Sequence, residues 1–180
     1  MLEDKLLIWK LKRGNRDALR LLYEKYKDTL RTIAGSMLHD TQAAEDVLHD
    51  VFVAFAENAK QFNVRTNLKN YLTTCVVNRA RDEFRRRQPQ TIKLDKTGLS
   101  SPDSSCPESQ AEAYEESQLL TEALAAIPYE QREVIVLHLK GGLKFREVAR
   151  VQQTSVSTVH GRYKYGLKKL RTILDGEFEK

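Results

Sequence analysis

The stretch "LKFREVARVQQTSVSTVHGRYKYGLKKL", from Leu143 to Leu170, decides the fold of the C-terminal part of the chain. A short amphipathic segment is followed by the polar tripeptide "QQT" and then by a longer amphipathic segment. A short helix, a tight turn and a second helix are the spacing of a helix-turn-helix. The second helix has an apolar arc at helical intervals, made of Val156, Val159, Tyr163, Leu167 and Leu170.

The opposite face of this second helix carries hydroxyl groups, cationic groups and a glycine. Its members are Ser157, Thr158, Gly161, Arg162, Tyr165, Lys168 and Lys169. Such groups suit base edges and phosphates, and Gly161 permits close approach of the backbone. A core helix with a solvated face has the same pattern, and helix-turn-helix geometry also occurs without DNA. The stretch alone leaves both interpretations open.

Two amphipathic helices are predicted in the first sixty residues. The first begins after Asn15, a candidate N-cap, and carries Leu19, Leu22, Tyr23, Tyr26, Leu30, Ile33, Ala34 and Met37 on one face. The second follows the turn "HDTQ" and carries Val47, Leu48, Val51, Phe52 and Phe55 on one face. Its other face is acidic and includes Glu45, Asp46, His49, Asp50 and Glu57.

This acidic stripe has three interpretations: metal binding, acid catalysis, or docking of a basic partner. A metal site normally draws its ligands from several elements, and no other element supplies them here. Catalysis needs a nucleophile or a cofactor motif, and the sequence has no GxSxG, P-loop or GxGxxG. We therefore expect no metal, no cofactor and no enzymatic activity. Protein docking or plain solvation remains.

A further helix is predicted after the loop "KQFNVRTN", Lys60 to Asn67. Its apolar face carries Leu68, Tyr71, Leu72, Cys75, Val76, Ala80 and Phe84. Its other face carries Thr74, Asn78, Arg81 and Arg85, and Arg79, Arg86 and Arg87 add to the charge. Five arginines within residues 79–87 exceed what a helix dipole requires, and the planar guanidinium suits phosphate. The face predicts nucleic-acid contact, with a solvated helix end as the alternative.

Residues 88–110 have the composition of a flexible linker, with three prolines, a glycine and many serines. Formal charge is +5 over residues 1–90, −4 over 91–118 and +4 over 119–180. Two basic blocks around an acidic connector are typical of a polyanion-binding protein made of two modules.

Helical periodicity resumes after the linker. One apolar stripe, Leu120, Ala123, Leu124 and Ile127, stops at Pro128, and a second, Val134, Ile135, Leu137 and Leu139, stops at Gly141 and Gly142. No stretch shows sustained strand alternation. The expected fold is all-α, with two small helical domains joined by a flexible linker and a C-terminal helix-turn-helix.

Composition restricts the class of protein further. The chain has 180 residues, 41% hydrophobic and 31% charged, which is typical of a globular protein. No apolar run approaches the roughly 18 residues of a membrane span, and the N-terminus is unlike a secretory signal, so we expect a cytoplasmic protein without membrane insertion. Cys75 and Cys106 have no partner at metal-ligand spacing.

Taken in order, these pieces resemble the extracytoplasmic-function group of bacterial RNA polymerase sigma factors, within the sigma-70 family. The stretches that carry the resemblance are "DALRLLYEKY" (17–26), "AEDVLHDVF" (44–52), "NLKNYLTTCVVNRARDEFRRR" (67–87), "ALAAIPYEQREVIVLHLKGGLKFREVA" (123–149) and "SVSTVHGRYKYGLKKLR" (155–171). The resemblance implies a region 2-like domain over 1–88, an acidic linker over 89–117 and a region 4-like domain over 118–180.

The resemblance also implies roles for individual residues. Glu45, Asp46, His49 and Asp50 would dock on the clamp helices of the largest subunit of core RNA polymerase. Melted minus-ten promoter DNA would meet Phe62, Asn63, Arg65, Asn67, Asn78, Arg79, Arg81 and Arg85. Duplex minus-thirty-five DNA would meet His138, Ser157, Thr158, His160, Gly161, Arg162, Lys164, Tyr165 and Lys168. An anti-sigma factor is a common partner in this family, but no residue here identifies one.

Three positions depart from the family pattern, and these departures bear on which promoters the chain prefers. His49 stands where glutamine is common, His138 where an arginine is usual, and Gly161 where serine is frequent. Two rival interpretations use less of the sequence. An ordinary helix-turn-helix regulator leaves the acidic helix without a role, and an adaptor that binds only proteins leaves the arginine-rich face unexplained.

Overall fold

The structure, a computed structural model, describes residues 2–62, 67–87 and 118–178, and within these ranges it contains eight α-helices and no strand. The helices are α1 (Leu2–Lys12), α2 (Arg16–Leu38), α3 (Thr41–Glu57), α4 (Leu68–Arg87), α5 (118–125), α6 (Tyr129–Ile135), α7 (Phe145–Val151) and α8 (Val156–Phe178). A 3-10 turn, Ala59–Gln61, follows α3, and a π-helical turn, Val136–Lys140, continues α6. The predicted all-α fold is confirmed, whereas the predicted linker lies outside the described residues.

Short polar residues set the boundaries of the N-terminal helices. Asn15 Oδ1 accepts from Ala18 N at 3.1 Å, which confirms it as the N-cap of α2. Asp40 caps α3 by accepting from Ala43 N at 2.9 Å. Its other carboxylate oxygen accepts from Arg87 Nη1 at 2.7 Å, so the end of α4 is tied to the start of α3.

Helix α1 was not among the predicted elements. Only Leu7 and Ile8 of this helix are buried, while Leu2, Leu6 and Trp9 are exposed. The helix is also anchored to α2 by Lys25, whose ammonium lies within 2.8 Å of Asp4. Two buried residues in eleven are too few to stand out as a helical stripe.

The C-terminal helices differ from the expected stripes at three positions. Leu139 is 59% exposed, Val156 is 39% exposed and Leu120 is 37% exposed, although all three were predicted on the apolar side. The π-helical turn that contains Leu139 widens the helical repeat, so spacing based on 3.6 residues per turn fails there. Val156 is the first residue of α8 and Leu120 lies in the first turn of α5, so both are at helix ends.

The two modules pack against each other, a contact that the sequence did not predict. Buried residues of α2, α3 and α4 form one continuous apolar cluster with Val134, Leu137, Leu143 and others of the C-terminal module. Phe84 stacks on Tyr129 with ring centroids 4.4 Å apart.

A buried arginine joins the ends of three segments at the interface between the two modules, which we call the seam. Arg132 is 4% exposed and donates to the carbonyl oxygens of Met37, Ala125 and Ile127 at 3.0, 3.2 and 3.4 Å. These carbonyls lie at or just beyond helix C-termini, where the backbone lacks intrahelical partners. Its guanidinium also lies 2.5 Å from Nε2 of His39, the left-handed C-cap residue of α2.

This contact predicts a pH dependence. Burial and the charge of Arg132 lower the pKa of His39 from 6.5 to about 4. Because the pKa in the folded protein is the lower one, the stabilisation is complete above pH 6.5 and is lost as pH falls towards 4. Asparagine tolerates the left-handed backbone, so His39→Asn removes only the titrating ring.

We expect thermal melts to show a larger loss of stability between pH 7 and pH 5 in the wild type than in His39→Asn. The same loss in both proteins would contradict this role of His39.

Candidate nucleic-acid and protein interfaces

The predicted acidic residues lie together on the outer side of α3. Asp46, His49 and Asp50 are exposed and Glu45 is half-buried. Two of these carboxylates pair with neighbouring helices. Glu45 accepts from Arg31 of α2 at 3.4 Å, and Asp50 accepts from Arg79 of α4 at 2.6 Å. The face is therefore held at both flanks and has Asp46 at its centre.

Val53 belongs to the same face and was missed by the sequence analysis. It is 43% exposed and lies one helical turn beyond His49 and Asp50. Its exposure could have been predicted from the sequence, because Val53 does not fit the helical spacing of the buried residues Val51 and Phe55. An exposed apolar side chain beside carboxylates suits a protein contact better than plain solvation does.

The basic front of α4 faces the C-terminal module. Asn78, Arg81 and Arg85 line a cleft of about 640 Å³ whose other wall includes Glu147 and Arg150. This arrangement brings together three of the residues expected at minus-ten DNA. It also places the other module over them.

Arg81 is paired across this cleft. Its guanidinium donates through Nη2 and, at 3.1 Å, through Nε to Glu133 Oε1, and Nη2 also lies 3.3 Å from the carbonyl oxygen of Val151. The Glu133 side chain is only 3% exposed. A buried carboxylate needs a counter-charge, which is the physical reason that Arg81 is not a free DNA contact in this arrangement.

Phe62 does not present its ring to solvent, although it was expected to meet melted minus-ten DNA. It is 8% exposed, and its ring centroid lies 5.5 Å from that of Phe55 and 4.8 Å from that of Tyr71. The ring is buried because removing its apolar area from water lowers the free energy of the folded protein. Asn67 is exposed and accepts from Asn70 N at 3.3 Å, whereas Asn63 and Arg65 lie outside the described residues.

The outer face of α8 is open to solvent. Ser157, Thr158, His160, Lys164, Tyr165 and Lys168 are exposed. A Cβ added to Gly161 would meet no heavy atom within 4 Å. Ser155, which was not among the predicted contacts, accepts from Thr158 N at 3.1 Å and lies 2.8 Å from the hydroxyls of Ser157 and Thr158. This helix-start serine therefore orders two hydroxyls of the outer face.

Two residues expected at minus-thirty-five DNA are half-buried and have internal partners. Arg162 is half-buried and donates to Gln152 Oε1 at 2.8 Å, because its position is where the outer face borders the seam. His138 is half-buried and stacks on Phe145 at 4.2 Å between centroids. Its Nδ1 lies 2.8 Å from the carbonyl oxygen of Leu143. Neither side chain is a free contact in this arrangement.

Among residues 2–62, 67–87 and 118–178, no three His, Cys, Asp or Glu side chains come together as metal ligands. In the same part of the chain, no helix combines the length and apolar character needed to cross a bilayer.

Family models match both modules. Residues 22–90 match "Sigma-70 region 2" and residues 117–170 match "Sigma-70, region 4", which together span well over half of the chain.

Relatives match along nearly the whole length. ECF RNA polymerase sigma factor SigK of Mycobacterium ulcerans is 26% identical over 172 residues, covering 94% of this chain and 92% of the relative. SigW of Bacillus subtilis, also named an ECF RNA polymerase sigma factor, is 25% identical over 176 residues, covering 93% and 94%.

Solved structures share the fold. CnrH in complex with the cytosolic domain of CnrY matches with TM-score 0.68 and 24% identity, covering 97% of this chain and 98% of that chain. The sigma factor RpoE of Bartonella quintana, in complex with the anti-sigma factor NepR, matches with TM-score 0.68 and 19% identity, covering 87% and 96%.

Two glycines of α8 provide a matched test of its two faces. A Cβ at Gly166 would lie 3.0 Å from Ile135 Cδ1 and 3.1 Å from Gln131 Cβ, whereas Gly161 has open space. Both alanine variants gain helix propensity of about 0.8–1.0 kcal/mol. We expect Gly161→Ala to raise the melting temperature. Gly166→Ala should melt at a lower temperature than Gly161→Ala, because only the site at Gly161 has space for the added methyl group. Equal gains in thermal denaturation would contradict this packing of α8.

Proposed function

Since the chain belongs to the extracytoplasmic-function subfamily of the sigma-70 family and is an RNA polymerase sigma factor, we propose which of its faces performs each part of initiation. The observation that carries the proposal is a separation of exposed charge. The acidic face of α3 lies within the match to region 2, and the lysine- and hydroxyl-bearing face of α8 lies within the match to region 4. One protein thus presents chemistry for a protein partner and for DNA in different modules.

The acidic face of α3 is the proposed contact with core RNA polymerase, on the clamp helices of its largest subunit. Glu45, Asp46, His49 and Asp50 supply its polar groups, and Val53 supplies an apolar group at one end. Charge complementarity would steer association, while burial of Val53 would contribute to affinity. The pairs of Glu45 with Arg31 and of Asp50 with Arg79 limit the rotamers of these carboxylates before docking.

The front of α4 is the proposed contact with the melted minus-ten element. Asn78, Arg79, Arg81 and Arg85 would hold phosphates and an unstacked base, together with Asn63, Arg65 and Asn67 from the preceding loop. The arginine density of this face supports the proposal. Phe62 is left out, because its ring belongs to the core.

The outer face of α8 is the proposed contact with duplex DNA at the minus-thirty-five element. Serine and threonine hydroxyls at its N-terminal end suit base edges and phosphates, and Lys164 and Lys168 further along suit phosphates. Gly161 lies between these groups with no atom over it, so the backbone can approach the groove there. Arg162 and His138 would contribute only after leaving their present partners.

The domain limits are proposed as 1–88 and 118–180, with 89–117 as the linker. The end of α4 at Arg87 and the helical residues from 118 onwards support these limits. Members of this family are regulators of transcription, and binding rather than covalent chemistry is the proposed work of this chain, in the cytoplasm where polymerase and DNA are found. Because the neighbouring RpoE structure contains an anti-sigma factor, a protein of that class is a proposed partner.

The docking face predicts the effect of a single charge reversal. Asp46 is exposed and its contact is a 3.4 Å hydrogen bond from Gln42, so Asp46→Lys should leave the fold intact. We expect the affinity for bacterial core RNA polymerase to fall about tenfold or more, which corresponds to about 1.4 kcal/mol per factor of ten. Fluorescence anisotropy of the labelled chain with reconstituted core enzyme measures it.

The matched control is Glu24→Lys, which makes the same charge change at an exposed position of α2 outside this face. It should bind core as the wild type does. Transcription from a genomic promoter library by the reconstituted holoenzyme should fall in parallel with core affinity. Unchanged core affinity of Asp46→Lys would remove α3 as the docking face.

A further inference from the structure

The front of α4 has an occupant within the chain itself. Glu147, Arg150 and Val151 of the C-terminal module form the opposite wall of the cleft lined by Asn78 and Arg81. Helix α7, the first helix of the helix-turn-helix, and the turn after it therefore lie where the proposed minus-ten strand would pass. DNA and this module cannot occupy the face of α4 at the same time.

The chemistry of the central contact resembles that of a DNA contact. A guanidinium that donates through two nitrogens to one anionic group is the geometry that arginine uses for carboxylate and for phosphate alike. Arg81 donates to Glu133 through Nε and Nη2, and both nitrogens share one oxygen, Oε1. The Glu133 carboxylate thus occupies the position on Arg81 that a phosphate of the promoter strand would take.

We propose that Glu133 is an intramolecular phosphate mimic, so that single-stranded DNA and the C-terminal module compete for Arg81 and the closed chain is withheld from minus-ten DNA. This inference rests on the proposed role of α4. The phosphate backbone of the DNA strand would thus replace Glu133, a residue of the same polypeptide, as the partner of Arg81.

Further polar contacts hold the module in this position. Gln152 donates to Glu133 Oε2 at 2.7 Å and accepts from Arg162 at 2.8 Å, so the Glu133 carboxylate is fixed from the side of α8 as well. At the other end of α4, Asn70 donates to Glu147 at 2.8 Å. Arg162, a residue expected at minus-thirty-five DNA, therefore belongs to the same hydrogen-bonded chain as Arg81.

The energetics suit a contact that opens. Pairing two buried charges gains little net free energy, because desolvation offsets much of their attraction, whereas leaving either charge unpaired is costly. The pair of Arg81 and Glu133 is thus specific rather than strong. A phosphate that replaces Glu133 on Arg81 keeps the guanidinium paired, while Glu133 retains the hydrogen bond from Gln152 and gains water.

The two DNA-binding faces are affected differently. Lys164, Tyr165 and Lys168 on the outer face of α8 remain exposed in the closed arrangement. The closed chain should therefore retain contact with duplex DNA through α8 and lose contact with single strands through α4. A general electrostatic effect would change both alike.

The test uses Glu133→Gln in the full chain. Glutamine keeps the size of the buried side chain and one of its two acceptor oxygens, and it removes the charge that holds Arg81. If the open form is about a tenth of the molecules, its release raises the apparent affinity about tenfold. Fluorescence anisotropy with a labelled single-stranded DNA of mixed sequence measures the affinity, and small-angle X-ray scattering of the free protein measures opening as an increase in radius of gyration.

Two variants serve as controls. Glu130→Gln removes the same charge from an exposed residue that lines the same side of the seam, and it should change neither measurement. Combining Glu133→Gln with Arg81→Gln should keep the expansion and lose the gain in affinity. Should Glu133→Gln fail to fold by circular dichroism, Asn70→Asp opens the seam from its other end by placing a carboxylate against Glu147.

The results separate this inference from the proposed function. Expansion with tighter single-strand binding that depends on Arg81 supports both. Expansion with unchanged binding overturns the competition and also removes α4 as the minus-ten face. No expansion in Glu133→Gln, or in Asn70→Asp if that variant is needed, overturns the role of Glu133 in closing the chain and leaves the proposed function standing. An equal gain in Glu130→Gln overturns it as well, because the effect is then one of net charge.

Discussion

Two adjacent buried charges, Arg132 and Glu133, impose the main constraint on this structure. Each is at most 4% exposed, and neither can be buried without partners because an unpaired charge in the interior is costly. Ala125, Ile127 and Gln152 of the same module supply some of these partners, and the others come from the other module. Met37 at the end of α2 supplies a carbonyl oxygen to Arg132, and Arg81 of α4 supplies a cation to Glu133. One turn of α6 thus restricts how the region 4 module can sit on the region 2 module.

That docking divides the functional faces into open and covered ones. The acidic face of α3 and the outer face of α8 point away from the seam and keep their side chains in solvent. The front of α4 points into the seam, and Arg162 lies at its edge. With the roles proposed for these faces, this arrangement leaves the contacts with polymerase and duplex DNA open, while contact with single strands would require movement between the modules.

Much of the fold follows from local pattern. Apolar residues at three- and four-residue steps predicted α2, α3, α4 and the C-terminal helices, because one face of each helix is buried. Caps were equally local, and Asn15 was identified from its position alone. The failures have physical reasons. Helix α1 buries too few residues to show a stripe, and the π-helical turn at Val136–Lys140 changes the period on which the prediction for Leu139 relied.

By itself, the sequence determined the all-α class, the family, the acidic face of α3 and the basic faces of α4 and α8. These properties depend on residues within a few helical turns of each other. Only the tertiary structure decided which polar face is covered, because a solvated arginine and a paired one look identical in sequence. Arg81 and Glu133 stand 52 positions apart, and their pairing exists only because the apolar faces of both modules join in one core. Burial of apolar surface brought these charges together, and the cost of leaving them unpaired then determined their contacts.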